Sequence, residues 1–122
     1  MDVVLGVAGG DESIRALRAT IERTQEAGDS LTIAILEKPE SPQSQAELQE
    51  TAERLLEEAG LEATIQLLEG DPGSSLVEFA DRGGFDRIVL GGGSASPMGK
   101  IRVGPITEFV LLNARMSVTL VR

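Results

Sequence analysis

The chain has 122 residues, the size of a single domain with one core, because a globular domain of this length buries about two thirds of the surface its unfolded chain would expose. It contains no cysteine and no histidine, which excludes disulfide frameworks, thiolate chemistry, a Ser-His-Asp triad and imidazole metal ligands. A net charge of −9, from 20 acids against 11 bases, argues against nucleic acid as a partner, since that affinity depends on neutralising phosphates.

In chain order, "MDVVLGV" carries an acid and opens a short apolar run, so it reads as a buried strand over Val3 to Val7 and not as a signal peptide. A helix follows from about Asp11, where Ile14, Leu17 and Ile21 recur at spacings of three and four, and Gly28 ends it. "LTIAIL" (Leu31 to Leu36) repeats the strand signal, and "KPESPQ" is a turn-rich connection. Ser44 and Glu47 have capping-box spacing ahead of Leu48, Ala52, Leu55, Leu56 and Ala59, which line one helical face closed by Gly60. "EATIQLLE" (Glu62 to Glu69) alternates, with Thr64 and Gln66 facing away from Ile65 and Leu67, and predicts a strand near a sheet edge.

A third helix begins at Asp71-Pro72, with Asp as cap and Pro at the first helical position, and "RIVLG" (Arg87 to Gly91) is the next strand. After a long glycine-rich loop come a helix from Pro105 to Ala114 and a closing strand in "MSVTLVR". Strict alternation of strand and helix predicts an α/β fold, a flavodoxin-like three-layer sandwich around a five-stranded parallel sheet, as one domain over 1–122. With the third strand at an edge, the expected order is 3-2-1-4-5, and ligands in such sheets bind beyond the carboxyl ends of the strands where the order reverses. Two glycine-rich loops converge there, "GVAGGDES" and "GGGSASPMGKIRVGP".

The charge is unevenly spread. Residues 91–122 carry Lys100, Arg102, Arg115 and Arg122 against Glu108, a net of +3, which leaves −12 on residues 1–90. Nineteen of the twenty acids precede Gly91, mostly on helical faces where solvation is their role, so no catalytic residue and no metal ligand is assigned. The second loop is not a Walker A motif, since five residues, where that motif has four, lie between Gly93 and Gly99-Lys100, and Ile101 stands where a Mg²⁺-binding hydroxyl belongs. No Tyr or Trp is available to stack on a flavin, and the first strand ends without the carboxylates of a phosphoacceptor domain. Two readings of the loop stay open: backbone N–H groups with Lys100, Arg102 and the helix start at Gly104 cradle a small anion, or the glycines only permit a tight path.

The arrangement "IVLGGG…SPMGK…VGPITEFVLLNARMSVTLVR", with "LGVAGGDESIRAL" at the start, resembles the universal stress protein family over essentially the whole chain. That resemblance implies a non-enzymatic, cytoplasmic stress-response protein with ATP or another adenine nucleotide as the candidate ligand. Its pocket would fall on Val7, Ala8, Leu36, Gly91, Gly92, Gly99, Lys100, Arg102, Gly104, Pro105 and Ile106, with a main-chain contact to the base at Leu36. Ala8 replaces an Asp of the family's ATP-binding branch, Gly10 a Ser, Ser94 the middle glycine of G-x₂-G-x₉-G-(S/T), and Pro105 the final hydroxyl residue. A modified, weaker nucleotide or anion pocket is therefore expected. The alternative is an ATP-binding member acting as a nucleotide switch or slow ATPase, and a structural dimer with a vestigial pocket is a third reading. The family resemblance also points to a homodimer through the last strand, at Val118, Thr119, Leu120 and Val121, while the acidic charge and the lack of an apolar run near the roughly 20 residues that cross a bilayer lead to the expectation of no nucleic acid and no membrane as partner.

Two lysines only, Lys38 and Lys100, in so acidic a chain suit a salt-loving source, and ordinary acidic solubility explains the same charge. If self-repulsion is being screened, the melting temperature rises between low and molar KCl, where the Debye length falls to about 3 Å. Thermal unfolding at the two salt concentrations measures it, and a flat or falling melting temperature favours the plain reading.

Overall fold

The structure is a computed structural model and describes residues 1–92, 94, 95 and 101–122, with backbone alone at 94, 95, 101 and 102. Its elements run β1 (Asp2–Val7), α1 (Asp11–Ala27), β2 (Ser30–Ile35), α2 (Gln45–Ala59), β3 (Thr64–Leu67), α3 (Pro72–Arg82), β4 (Arg87–Gly91), β5 (Ser94–Ala95), β6 (Ile101–Arg102), α4 (Pro105–Asn113) and β7 (Ser117–Val121). β3, β2, β1, β4 and β7 form a parallel sheet in that order, which is the expected 3-2-1-4-5 arrangement of the five long strands. A separate antiparallel pair, Ser94 with Arg102 and Ala95 with Ile101, lies inside what the sequence presents as one long loop.

The continuous apolar runs are explained by burial on both sides of the sheet. Val3, Leu5, Val7, Leu31, Ile33, Ile35 and Val89 pack with α1 and α2, in a cluster holding Ala16, Leu17, Leu48, Ala52, Leu55 and Leu56. The alternate residues Val4, Ala34, Leu36, Ile88 and Leu90 pack on the other face with Leu76 and Ala80 of α3 and Val110 of α4. Burying an aliphatic side chain of this kind contributes about 1.5–3 kcal/mol before chain entropy is counted. Both faces of the strands are therefore specified, and a one-residue slip would exchange the two cores.

The helix ends follow their local chemistry. Gly28 and Gly60 adopt left-handed conformations, with φ of 71° and 65°, and stop α1 and α2. Ser44 accepts from the Glu47 N–H while the Glu47 side chain accepts from Ser44, completing the capping box. Asp71 caps α3 by accepting from the Ser74 N–H at 3.0 Å.

β3 is shorter than the expected Glu62 to Glu69. Only Thr64–Leu67 pair, with Thr32–Ile35, and β2 ends there. The Gln45 amide then donates to the carbonyls of Ile35 and Leu68 at 3.0 and 2.9 Å, so a polar side chain of α2 closes that end of both strands. Leu67, expected to share the inner face with Ile65, is exposed at the end of this edge strand. β3 does stand at the sheet edge.

α1 crosses β4 at very close range. A Cβ placed on Gly91 would overlap the backbone carbonyl of Glu12 and lie 3.0 Å from the Ala16 methyl. Backbone cannot yield as a flexible side chain can, so Gly91→Ala must push the first turn of α1 off the sheet. The expected loss is about 1–3 kcal/mol, the usual range for overpacking, read as a lower urea midpoint.

Candidate functional site

A cleft of about 520 Å³ opens at the carboxyl ends of β1 and β4, where the strand order reverses. The volume lies within the range of small-molecule sites. Gly6 forms part of its floor, and the β1–α1 connection, the β2–α2 connection, the start of α3, the end of β4 and the start of α4 form its walls.

The first connection is held open by local hydrogen bonds. Gly9 and Gly10 have φ of 94° and 88°, a conformation that favours glycine at both positions. A Cβ on Gly9 would also overlap the Ser41 hydroxyl. The Gly10 N–H donates to Gln43 Oε1 at 2.8 Å, and the Ala8 N–H donates to Ser13 Oγ at 3.3 Å. The turn between β1 and α1 is thus tied to the segment that brings Lys38, Pro39 and Glu40 to the cleft.

Glycines serve close approach as well as concavity. A Cβ on Gly92 would stand 3.0 Å from Thr107 Oγ1, and one on Gly73 would meet the Phe109 ring at 2.9 Å. Gly104 differs, since no atom of the described residues lies within 4 Å of the Cβ it lacks. The cramped glycines answer to packing, and Gly104 leaves space at the cleft.

Three helices begin at this cleft, α1, α3 and α4, and they differ at their amino ends. α3 is capped by its own Asp71, whereas α1 and α4 start at Gly10 and Gly104 with no side-chain cap among the described residues. The first turn of a helix carries N–H groups without intrahelical acceptors and the positive end of the dipole, so an uncapped amino end facing a cleft can take an anion. α4 is apolar at its first two positions, Pro105 and Ile106, and Pro105 brings no N–H. Among the described lining residues the charges are Glu12, Glu40 and Asp71 against Lys38. No cluster of three or more carboxylates able to hold a metal ion occurs among the described residues.

Of the residues singled out in the sequence, Ala8, Gly91, Gly92, Gly104, Pro105 and Ile106 line the cleft. Val7 and Leu36 do not; their side chains are buried, and the Leu36 N–H donates to the Val7 carbonyl at 2.8 Å, which leaves them a main-chain role only. Gly99 and Lys100 lie outside the described residues, and Arg102 is described by its β6 backbone, opposite Ser94. Lys38, Glu40, Glu12, Asp71 and Phe109 are lining residues that sequence reasoning missed. The signal for the first two was available: the β2–α2 connection leaves the same end of the sheet and carries one of the two lysines.

The sequence profile of the Universal stress protein family matches residues 1–122. A stretch of 69 residues, 57% of this chain and 41% of the other, is 33% identical to Universal stress protein MJ0531 of Methanocaldococcus jannaschii, so the matched part spans less than half of that relative. Among solved structures, a universal stress protein from Archaeoglobus fulgidus superposes with a TM-score of 0.80 at 26% identity, covering 100% of this chain and 98% of that one. A universal stress protein solved in complex with cAMP gives a TM-score of 0.75 at 27% identity, over 100% and 96% of the two chains. With the profile matching from end to end, on the fold and strand order just described, the chain belongs to the universal stress protein family.

Proposed function

We propose that the chain is a non-enzymatic stress-response protein, acting as one domain over 1–122 in the cytoplasm, whose cleft takes an adenine nucleotide of low charge in preference to ATP. The observation that carries this reading is the uncapped amino end of α4 at Gly104, facing a cleft of nucleotide size at the switch point. The cAMP bound by a relative of 27% identity supports a nucleoside monophosphate as the ligand class. Against a triphosphate stand the three carboxylates at the lining, with Lys38 opposing them, and two substitutions. Ala8 offers no carboxylate to the nucleoside, and Pro105 offers neither a hydroxyl nor an N–H to phosphate. Hydrogen bonds to charged groups contribute about 1.5–3 kcal/mol each, so two missing ones weaken binding by roughly 10² to 10⁴ fold.

The second reading, an ATP-binding nucleotide switch or slow ATPase, draws on the basic residues Lys100 and Arg102 that precede Gly104 in the chain. Calorimetric titration separates the two. AMP is expected to bind more tightly than Mg-ATP, and Ala8→Asp with Pro105→Ser is expected to raise ATP affinity measurably. Low-micromolar ATP affinity in the unaltered protein favours the switch instead.

We also propose a homodimer through β7. This strand is the last in the sheet order and has no neighbour on its outer side among the described residues, leaving a ladder that a second copy can continue with Val118, Thr119, Leu120 and Val121. α4 packs in the same cluster as Val118 and Leu120 and leaves Leu111 and Leu112 exposed, 45% and 76%. Sedimentation at micromolar concentration is expected to give a dimer, and Val118→Pro, which removes a ladder donor, is expected to weaken it. A monomer under all salt conditions refutes the assembly.

A further inference from the structure

A second, smaller cavity of about 120 Å³ lies between α1 and the β4–β7 side of the sheet, lined by Thr20, Arg23, Asp29, Arg87 and Thr119 among others. It is separate from the nucleotide cleft and shares no described lining residue with it. Thr20 is 94% buried, and its hydroxyl has no hydrogen-bond partner among the described residues; the Nε of Arg87 is likewise buried without one there. Neighbouring groups are otherwise engaged: Thr24 Oγ1 donates to the Thr20 carbonyl at 2.7 Å, and the amino-terminal ammonium pairs with Asp29 at 3.2 Å.

A buried polar group without a partner costs about 1–3 kcal/mol, and native proteins rarely leave one unless water or an ion completes it. Here two such groups belong to one cavity. Its charge is the reverse of the chain's, since Arg23 and Arg87 face it and the one carboxylate among its described lining residues, Asp29, already has the terminal ammonium as partner. The volume corresponds to about four waters at ~30 Å³ each, enough for a tetrahedral oxyanion with some hydration. Guanidinium groups suit such a ligand, because their planar forks match the spacing of two oxyanion oxygens.

We infer that this cavity is a binding site for a small tetrahedral oxyanion, held by Arg87 and Arg23 with the Thr20 hydroxyl donating to it. The inference is independent of what occupies the nucleotide cleft. The phosphoryl group can belong to free inorganic phosphate or to the end of a nucleotide, and the cavity's size favours the free ion.

The test is NMR titration of the intact chain with sodium phosphate at constant ionic strength, following the Arg87 side-chain Nε–H and the Thr20 amide. A saturable shift at both, absent with chloride and retained when AMP saturates the cleft, is the expected result. Thr20→Val replaces the hydroxyl by a methyl of similar shape, so the free protein should melt at the same temperature or higher, while phosphate binding weakens about tenfold, or ~1.4 kcal/mol. Phosphate binding unchanged in Thr20→Val overturns the site. So do shifts confined to Gly91, Gly92 and Gly104–Thr107, which would place phosphate in the nucleotide cleft, and shifts that chloride reproduces, which would reduce the effect to screening. A shift elicited by AMP in place of inorganic phosphate overturns the choice of the free ion.

Discussion

β1 is hydrogen-bonded in parallel on both edges, to β2 over six residue pairs and to β4 over four. Because the chain leaves β1 toward β2 on one side and returns to β4 on the other, the helices that follow β1 and β4 lie on opposite faces of the sheet. A gap between their amino ends results from topology alone. Gly6 stands at that point, and a Cβ there would meet Leu76 at 2.6 Å and Leu90 at 2.9 Å. The same missing side chain lets α3 pack close to the central strand and gives the cleft its floor.

Most of the fold was legible because its determinants are local. The strands expected at Val3 to Val7, Leu31 to Leu36 and Arg87 to Gly91 form as Asp2–Val7, Ser30–Ile35 and Arg87–Gly91, where apolar runs predicted them, and Gly28, Ser44, Gly60 and Asp71 end or start helices by chemistry confined to a few residues. The short β5–β6 pair was not legible, since two-residue strands carry no periodicity to detect. Nor was the early end of β3, which depends on Gln45 reaching two carbonyls that lie 10 and 23 residues away in the chain. Long-range closure of this kind leaves no mark in a window of neighbouring residues.

The cleft was legible in part for the same physical reason. Loop glycines and helix starts could be read at Gly91, Gly92, Gly104 and Pro105, and they line it. Lys38 and Glu40 come to the cleft because the segment after β2 is tied to the β1–α1 turn, through the Gln43 side chain and the Gly10 N–H. That bond joins residues 33 apart in sequence, so the topology could point this connection to the cleft end of the sheet while the tie itself left no mark in "KPESPQ". Phe109 was hidden by its setting in a helix that is apolar around most of its circumference, where one more apolar residue reads as core. Only the fit of its ring over Gly73 places it at the cleft wall.

Steric and electrostatic demands at the cleft pull in different directions. The first turn of α1 must sit against Gly91, which brings Glu12 into the lining, and α3 must be capped, which brings Asp71. Each carboxylate stabilises its own helix start, Glu12 through the dipole and Asp71 through the Ser74 N–H. Both also raise the negative potential where a phosphate would approach. The uncapped end of α4 opposes that field, and its strength is limited because Pro105 contributes no donor. Helix stability on two walls is thus set against anion affinity on the third, and a ligand with one phosphoryl charge asks less of α4 than one with three.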